Sequence, residues 1–227
     1  MIDTPAIVHI GAGFGRNLER YLDSAAKTII LVEPLPDAAQ VLRKRAGENA
    51  GRVSVVEAAI TGAEKMAKLK RFNLPEVSSL YEPTKLDELF PGLRLESELT
   101  VKTLTLAELV GQVTLPEGRH STLIVDAPGA EAALLACFLD TTAEANPFSQ
   151  IHVFSQEEAL YDSGSAAGQV IRLLENTGYE LETTDRTKPD RPCWCFRYNR
   201  LHPRLQAAEE AQQRLNEQLE EEKSAHE

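Results

Sequence analysis

The chain has 227 residues, enough for one well-filled core without requiring a second domain. No apolar run nears the roughly 20 residues of a helical membrane span, so a membrane-spanning helix is not expected. A net charge of −11 makes the body a poor electrostatic match for nucleic acid or anionic lipid, and neither is expected as a partner.

Met1-Ile2-Asp3-Thr4-Pro5 has no basic patch and no apolar run behind it, so no signal peptide is expected and the cytoplasm is the expected compartment. Residues 6–10, 28–32, 53–60, 122–126 and 151–154 read as strands. Several are continuous apolar runs, the pattern of parallel strands covered on both faces. Between them, residues 17–26, 37–46, 130–139 and 166–177 read as helices, the last stopping at Gly178. Strand and helix in turn predict a doubly wound, mostly parallel α/β sheet. Residues 179–184 and 193–198 are strand-like runs joined by the turn-rich segment 186–190, which predicts an antiparallel hairpin. The expected fold is therefore a seven-stranded sheet closed by that hairpin.

Residues 61–120 fit this alternation less well. Residues 65–72 and 99–103 read as extra strands, 104–110 as a short helix, and 73–91, with three prolines, as a long loop and candidate lid. From residue 201 onward, Leu201, Leu205, Ala208, Gln212, Leu215, Leu219 and Glu222 alternate spacings of four and three, a heptad pattern with polar breaks. Seven Glu against three Lys or Arg give this tail a charge of −4. The chain thus divides into a domain over 1–200 and a tail over 201–227. The tail is either a solvated amphipathic helix or a coiled-coil stub through which a homo-oligomer or larger assembly can form.

The first strand runs into Gly11-Ala12-Gly13-Phe14-Gly15. Alternate glycines let the backbone turn tightly and approach a ligand closely. Glu33 ends the second strand 22 residues after Gly11, where a carboxylate can accept both ribose hydroxyls of an adenosine. A dinucleotide fingerprint wants a further glycine where Arg16 stands, and a pyrophosphate needs that close approach. S-adenosylmethionine has no phosphates and asks only for the turn, so a methyl donor is favoured over a nicotinamide cofactor. The strand over 122–126 delivers Asp126 to the same edge of the sheet, to place the donor's amino-acid end or a substrate hydroxyl. Pro128 suits the first turn of the next helix, and Glu131 its positive end.

Three cysteines in a long chain fit reduced thiols better than a disulfide framework. Cys193 and Cys195 flank the only tryptophan and share a strand face. No second Cys/His pair sits nearby to complete a zinc site, so packing is favoured over metal or redox chemistry.

Four segments resemble the successive motifs of the FkbM methyltransferase family, which has the class I methyltransferase fold. They are Val8-His9-Ile10-Gly11-Ala12-Gly13, Val32-Glu33-Pro34-Leu35-Pro36, Thr103-Leu104-Thr105-Leu106 and Val125-Asp126-Ala127-Pro128-Gly129-Ala130-Glu131. Ser78-Ser79-Leu80 falls where that family has a Ser-rich loop. The resemblance spans about residues 5–185. It implies O-methylation of a hydroxyl on a sugar or small metabolite, with S-adenosylmethionine held by His9, Gly11, Ala12, Gly13, Glu33, Pro34, Ala59 and Asp126. Its partner would be a small-molecule or glycan acceptor. Three positions depart from the family pattern, which carries an acid at His9, a lysine at Ile124 and a second acid at Pro128. The alternative is a catalytically lapsed domain that serves assembly through its tail. Asp126, His152 and His9 are the candidate bases, and Glu157, Glu158 and Tyr161 are candidates for the acceptor side.

Overall fold

The computed structural model describes residues 3–62, 65–139 and 146–202, together with Gln212, Arg214 and Asn216. In chain order the first half builds β1 (Ala6–Ile10), α1 (Leu18–Leu22), β2 (Thr28–Val32), α2 (Pro36–Ala46), β3 (Val53–Val56), β4 (Ala59–Ile60) and β5 (Met66–Phe72). There follow α3 (Leu86–Leu89), β6 (Leu95–Leu104), α4 (Leu106–Gln112), β7 (Ser121–Val125) and α5 (Glu131–Leu139). The last elements are β8 (Phe148–Phe154), α6 (Ala167–Asn176), β9 (Tyr179–Asp185) and β10 (Cys193–Tyr198).

Seven strands form one sheet in the order β3-β2-β1-β7-β8-β10-β9. The first five in that order are parallel, whereas β10 runs antiparallel to both β8 and β9. This is the mostly parallel α/β sheet with an antiparallel closing hairpin that the apolar pattern predicts. The run over 53–60 departs from expectation by being two strands. The chain leaves the main sheet at Glu57 and Ala58, and β4 pairs with β6 in a separate three-stranded sheet of order β4-β6-β5. The coiled-coil expectation for the tail lies outside the described residues, apart from Gln212, Arg214 and Asn216, which are helical and exposed. No helix among the described residues is long and apolar enough to cross a membrane.

Period-2 alternation sends β1 into two cores at once. Val8 and Ile10 join Leu123, Val125, Ile151, Val153 and Phe196 on the face covered by α4, α5 and α6. Ile7 packs on the other face with Ile29, Leu31 and Ile124, against Leu18 and Tyr21 of α1 and Leu42 of α2. Each fully buried aliphatic side chain of this kind contributes roughly 1.5–3 kcal/mol. Pro36 starts α2 and Asp37 lies in its first turn, while Arg43, Lys44 and Arg45 suit its negative end. A reciprocal cap starts α4: Thr105 Oγ1 accepts from the Glu108 N–H at 3.0 Å, and Glu108 Oε2 accepts from the Thr105 N–H at 2.8 Å.

The far end of the sheet is closed by Tyr179, which is 1% exposed. Its hydroxyl donates to the Phe148 carbonyl at 2.7 Å and accepts from Asn146 Nδ2 at 3.0 Å and Arg119 Nη1 at 3.2 Å. Tyr179→Phe keeps the ring but strands the buried carbonyl and amide. Urea denaturation is expected to show a loss of about 1–3 kcal/mol with an unchanged m-value.

Candidate functional site

The carboxyl ends of β1, β2 and β7 open into a cavity of about 300 Å³. Its position follows from topology: β1 lies between β2 and β7, so the chain leaves β1 in opposite senses on either side and a crevice opens there. Gly11, at φ +77°, sits so close to the end of β7 that a Cβ would lie 1.9 Å from the Asp126 carbonyl oxygen. No side chain fits at that position. Gly13 and Gly15 also adopt positive φ, at +55° and +78°, which completes the turn predicted from the alternate glycines.

The N–H groups of Gly11, Ala12, Gly13 and Gly15 in this turn are spent within the protein. Those of Gly11 and Ala12 donate to the Val32 carbonyl at 2.9 and 3.0 Å, and that of Gly13 to Glu33 Oε2 at 2.7 Å. The other Glu33 oxygen accepts from the Leu35 N–H at 2.9 Å. Glu33 is 4% exposed and lines the cavity. Burial raises its pKa above the ordinary carboxylate value, against the two N–H bonds, which favour the ionised form. Each oxygen keeps acceptor capacity for a ligand hydroxyl. Pro34, Leu35, Ala59, Leu69 and Leu80 make an apolar wall beside it.

The other end of the cavity is formed by His9, Asp126, Phe154 and Arg191. His9 is 2% exposed, its Nδ1 lies 3.2 Å from the Tyr21 hydroxyl, and its Nε2 has no partner among the described residues. Burial first, and the Arg191 charge second, push its pKa down to about 3, so the ring is neutral at physiological pH. Asp126 forms an ion pair with Arg191. Residues 73–91 close one side of the cavity and are anchored rather than free. The Ser79 hydroxyl donates to the Pro128 carbonyl at 2.6 Å, the Tyr161 hydroxyl donates to the Val77 carbonyl at 2.8 Å, and Glu76 pairs with Arg16.

Of the residues singled out from the sequence, His9, Gly11, Ala12, Gly13, Glu33, Pro34, Ala59 and Asp126 all line this cavity. His152 does not. It sits in mid-strand, in the register row His9, Ile124, His152, Cys195, two strands from His9. Burial lowers its pKa to about 4. Glu157 pairs with Arg186, Glu158 pairs with Lys85, and Tyr161 packs against Gly129 and Gly164, so none of the three lines the cavity. Pro128 lies ahead of α5 and not in its first turn. The sequence reading missed Arg191, Glu76 and Leu69, whose arrival at the cavity depends on the hairpin and on the second sheet. Cys193 also lines the cavity, and its Sγ lies 3.9 Å from that of Cys195, as their shared strand face predicts.

Glu131 begins α5 at 1% exposure, with Oε2 accepting from the Ser165 hydroxyl at 2.8 Å. Burial pushes its pKa up to about 7. Between its unfolded value near 4.5 and about pH 7 the native state therefore holds a proton that the unfolded chain releases, and stability falls as pH rises through that window. His9 and His152, with lowered values, act in the opposite sense. The wild-type minus Glu131→Gln difference isolates Glu131, and denaturation from pH 4.5 to 7.5 is expected to show it falling by on the order of 3 kcal/mol. For Gly11→Ala, the clash with the Asp126 carbonyl is expected to lower the thermal midpoint.

No family model matches the sequence, and no curated protein matches it. Solved structures do. The methyltransferase FkbM from Methylobacillus flagellatus aligns with a TM-score of 0.52 at 13% identity, over 86% of this chain and 44% of that one. Fibrillarin from Aeropyrum pernix, with natively bound S-adenosyl-L-methionine, aligns at 0.48 and 10% identity, over 86% and 66%. Magnesium protoporphyrin IX methyltransferase from Synechocystis, with bound S-adenosylmethionine, aligns at 0.46 and 10%, over 87% and 71%. The chain spans less than half the length of the FkbM structure. Its fold is the Rossmann-like fold of methyltransferases.

Proposed function

We propose that the chain is an S-adenosylmethionine-dependent methyltransferase that acts on a hydroxyl of a sugar or other small metabolite. The observation that carries this reading is Glu33. It is a buried acid at the end of β2, held by the N–H groups of Gly13 and Leu35 and lining a cavity with an apolar wall. An adenosine needs those two features together, an acceptor for its ribose hydroxyls and a dry surface for its base. The missing side chain at Gly11 lets the residue after β7 close against the glycine turn, with Asp126 lining the same cavity.

When bound, S-adenosylmethionine supplies a methyl group activated by its sulfonium. The chain's own part is to hold the acceptor oxygen in line and to take its proton. We assign the second task to Asp126, a reading supported by its carboxylate lining the cavity just beyond β7. His9, being neutral, adds no positive charge against a sulfonium, and its Nε2 accepts or donates to a ligand according to the tautomer that the Tyr21 hydroxyl selects. A nicotinamide dinucleotide is the weaker reading. Its pyrophosphate would look to the N–H groups of Gly11, Ala12 and Gly13, which are already bonded to Val32 and Glu33.

Isothermal titration with S-adenosylmethionine and S-adenosylhomocysteine tests the proposal. Micromolar binding is expected, weakened at least tenfold, about 1.4 kcal/mol, in Glu33→Ala. Absence of binding by either nucleoside to the folded wild-type chain would overturn it.

A further inference from the structure

Along the carboxyl edge of the sheet, Glu33 follows β2, whereas Arg191 reaches the residues that follow β7 and end β8. Arg191 comes from the turn between β9 and β10 and lines the cavity with a side chain 17% exposed. It pairs with Asp126, and its guanidinium carbon lies 5.9 Å from the centre of the Phe154 ring. A guanidinium carries five N–H donors in a flat fork matched to carboxylate and phosphate oxygens. Among the described residues, Asp126 is the one acceptor that this side chain meets. Most of the fork is unspent.

Among the described residues no other acid around the cavity pairs with it, although the Glu76 charge acts on it from nearby. Glu76 is paired with Arg16, Asp185 accepts from the Thr187 N–H at 2.9 Å, and Glu33 is held by Gly13 and Leu35. Lys188 and Arg20 also line this end, which leaves a positive surplus against Asp185. Burial brings the Arg191 pKa down to about 10, so the group stays charged at neutral pH. A buried cation with spare donors, beside a carboxylate placed to take a proton, is a recognition element for an anion.

We propose that Arg191 binds an oxyanion, a carboxylate or phosphate group, and that the methyl acceptor is an anionic hydroxylated small molecule rather than a neutral sugar. The inference rests on the donor-binding reading above and names the substrate class of that same site. The methionine carboxylate of the donor presents the same chemistry. Arg191 projects from the hairpin, on the β8 side of Asp126, whereas the glycine turn lies on the β2 side, and this placement favours the acceptor.

The test uses the full chain as wild type, Arg191→Gln and Arg191→Lys. Arg191→Gln leaves Asp126 unpaired and can cost folding. Arg191→Lys keeps the charge without the fork, and circular dichroism monitors both. Each protein is titrated with S-adenosylhomocysteine, with 5′-methylthioadenosine, which lacks the amino-acid end, and, once saturated with S-adenosylhomocysteine, with inorganic phosphate and with benzoate. The expected result is that the saturated wild type binds at least one of the two oxyanions. That binding should fall at least tenfold in Arg191→Gln and at least threefold in Arg191→Lys, with both nucleosides unaffected. A tenfold loss confined to S-adenosylhomocysteine would assign the oxyanion to the donor and overturn the anionic acceptor. No oxyanion binding together with unchanged S-adenosylhomocysteine affinity would overturn the whole inference while leaving the donor site standing. If neither nucleoside binds wild type, the donor reading itself fails, a separate result.

Discussion

One buried carboxylate joins the two loops from which the cleft is made. Glu33 accepts from the Gly13 N–H beyond β1 and from the Leu35 N–H beyond β2, so a single side chain sets the spacing of both strand ends. Taking a carboxylate to 4% exposure is costly, and the two N–H bonds offset that cost only in this arrangement. The bend is followed at once by Pro36, whose fixed φ starts α2 without further adjustment. The cavity wall is thus in place before any ligand arrives, which lowers the ordering cost of binding.

The second constraint is the contact between Gly11 and the Asp126 carbonyl. It brings β1 and β7 together at the edge of the sheet and places Asp126 beside His9. At this end the histidine is neutral and the aspartate is paired with Arg191. In the FkbM family, which the chain resembles, acids stand at the positions of His9 and Pro128 and a lysine at that of Ile124. Here Ile124 belongs to the core that α1 and α2 cover, and a charge there would be buried among Ile7, Leu31 and Leu18.

Much of this was legible in the residues. Continuous apolar runs marked β1, β2 and β7 because both their faces are covered, and the alternate glycines marked the turn. Glu33 reads from the sequence only as a ribose acceptor, and its bonds to the Gly13 and Leu35 N–H groups were not legible. The two-residue β4 was not legible, because an apolar run has the same pattern whichever sheet it pairs with, and the partner β6 lies some forty residues on. His152 drew attention by chemistry, but its place in the sheet's register holds it two strands from the cleft. Arg191 was missed for the converse reason: it lies in a turn without periodicity, and its reach is set by how the hairpin folds back beside β8.

The hairpin has one more effect, on the outer border of the sheet. β9 ends the strand order, so among the described residues one row of its backbone N–H and C=O groups has no strand to pair with. Exposed Glu180, Glu182 and Asp185 sit along it, with Arg197 and Asn199 of the neighbouring strand and turn drawn to the first two. Two copies approaching border to border would bring these carboxylates face to face, and like charges directly opposite one another disfavour strand pairing. The acidity that runs through the whole chain thus also acts locally, as a guard against self-templated growth of the sheet.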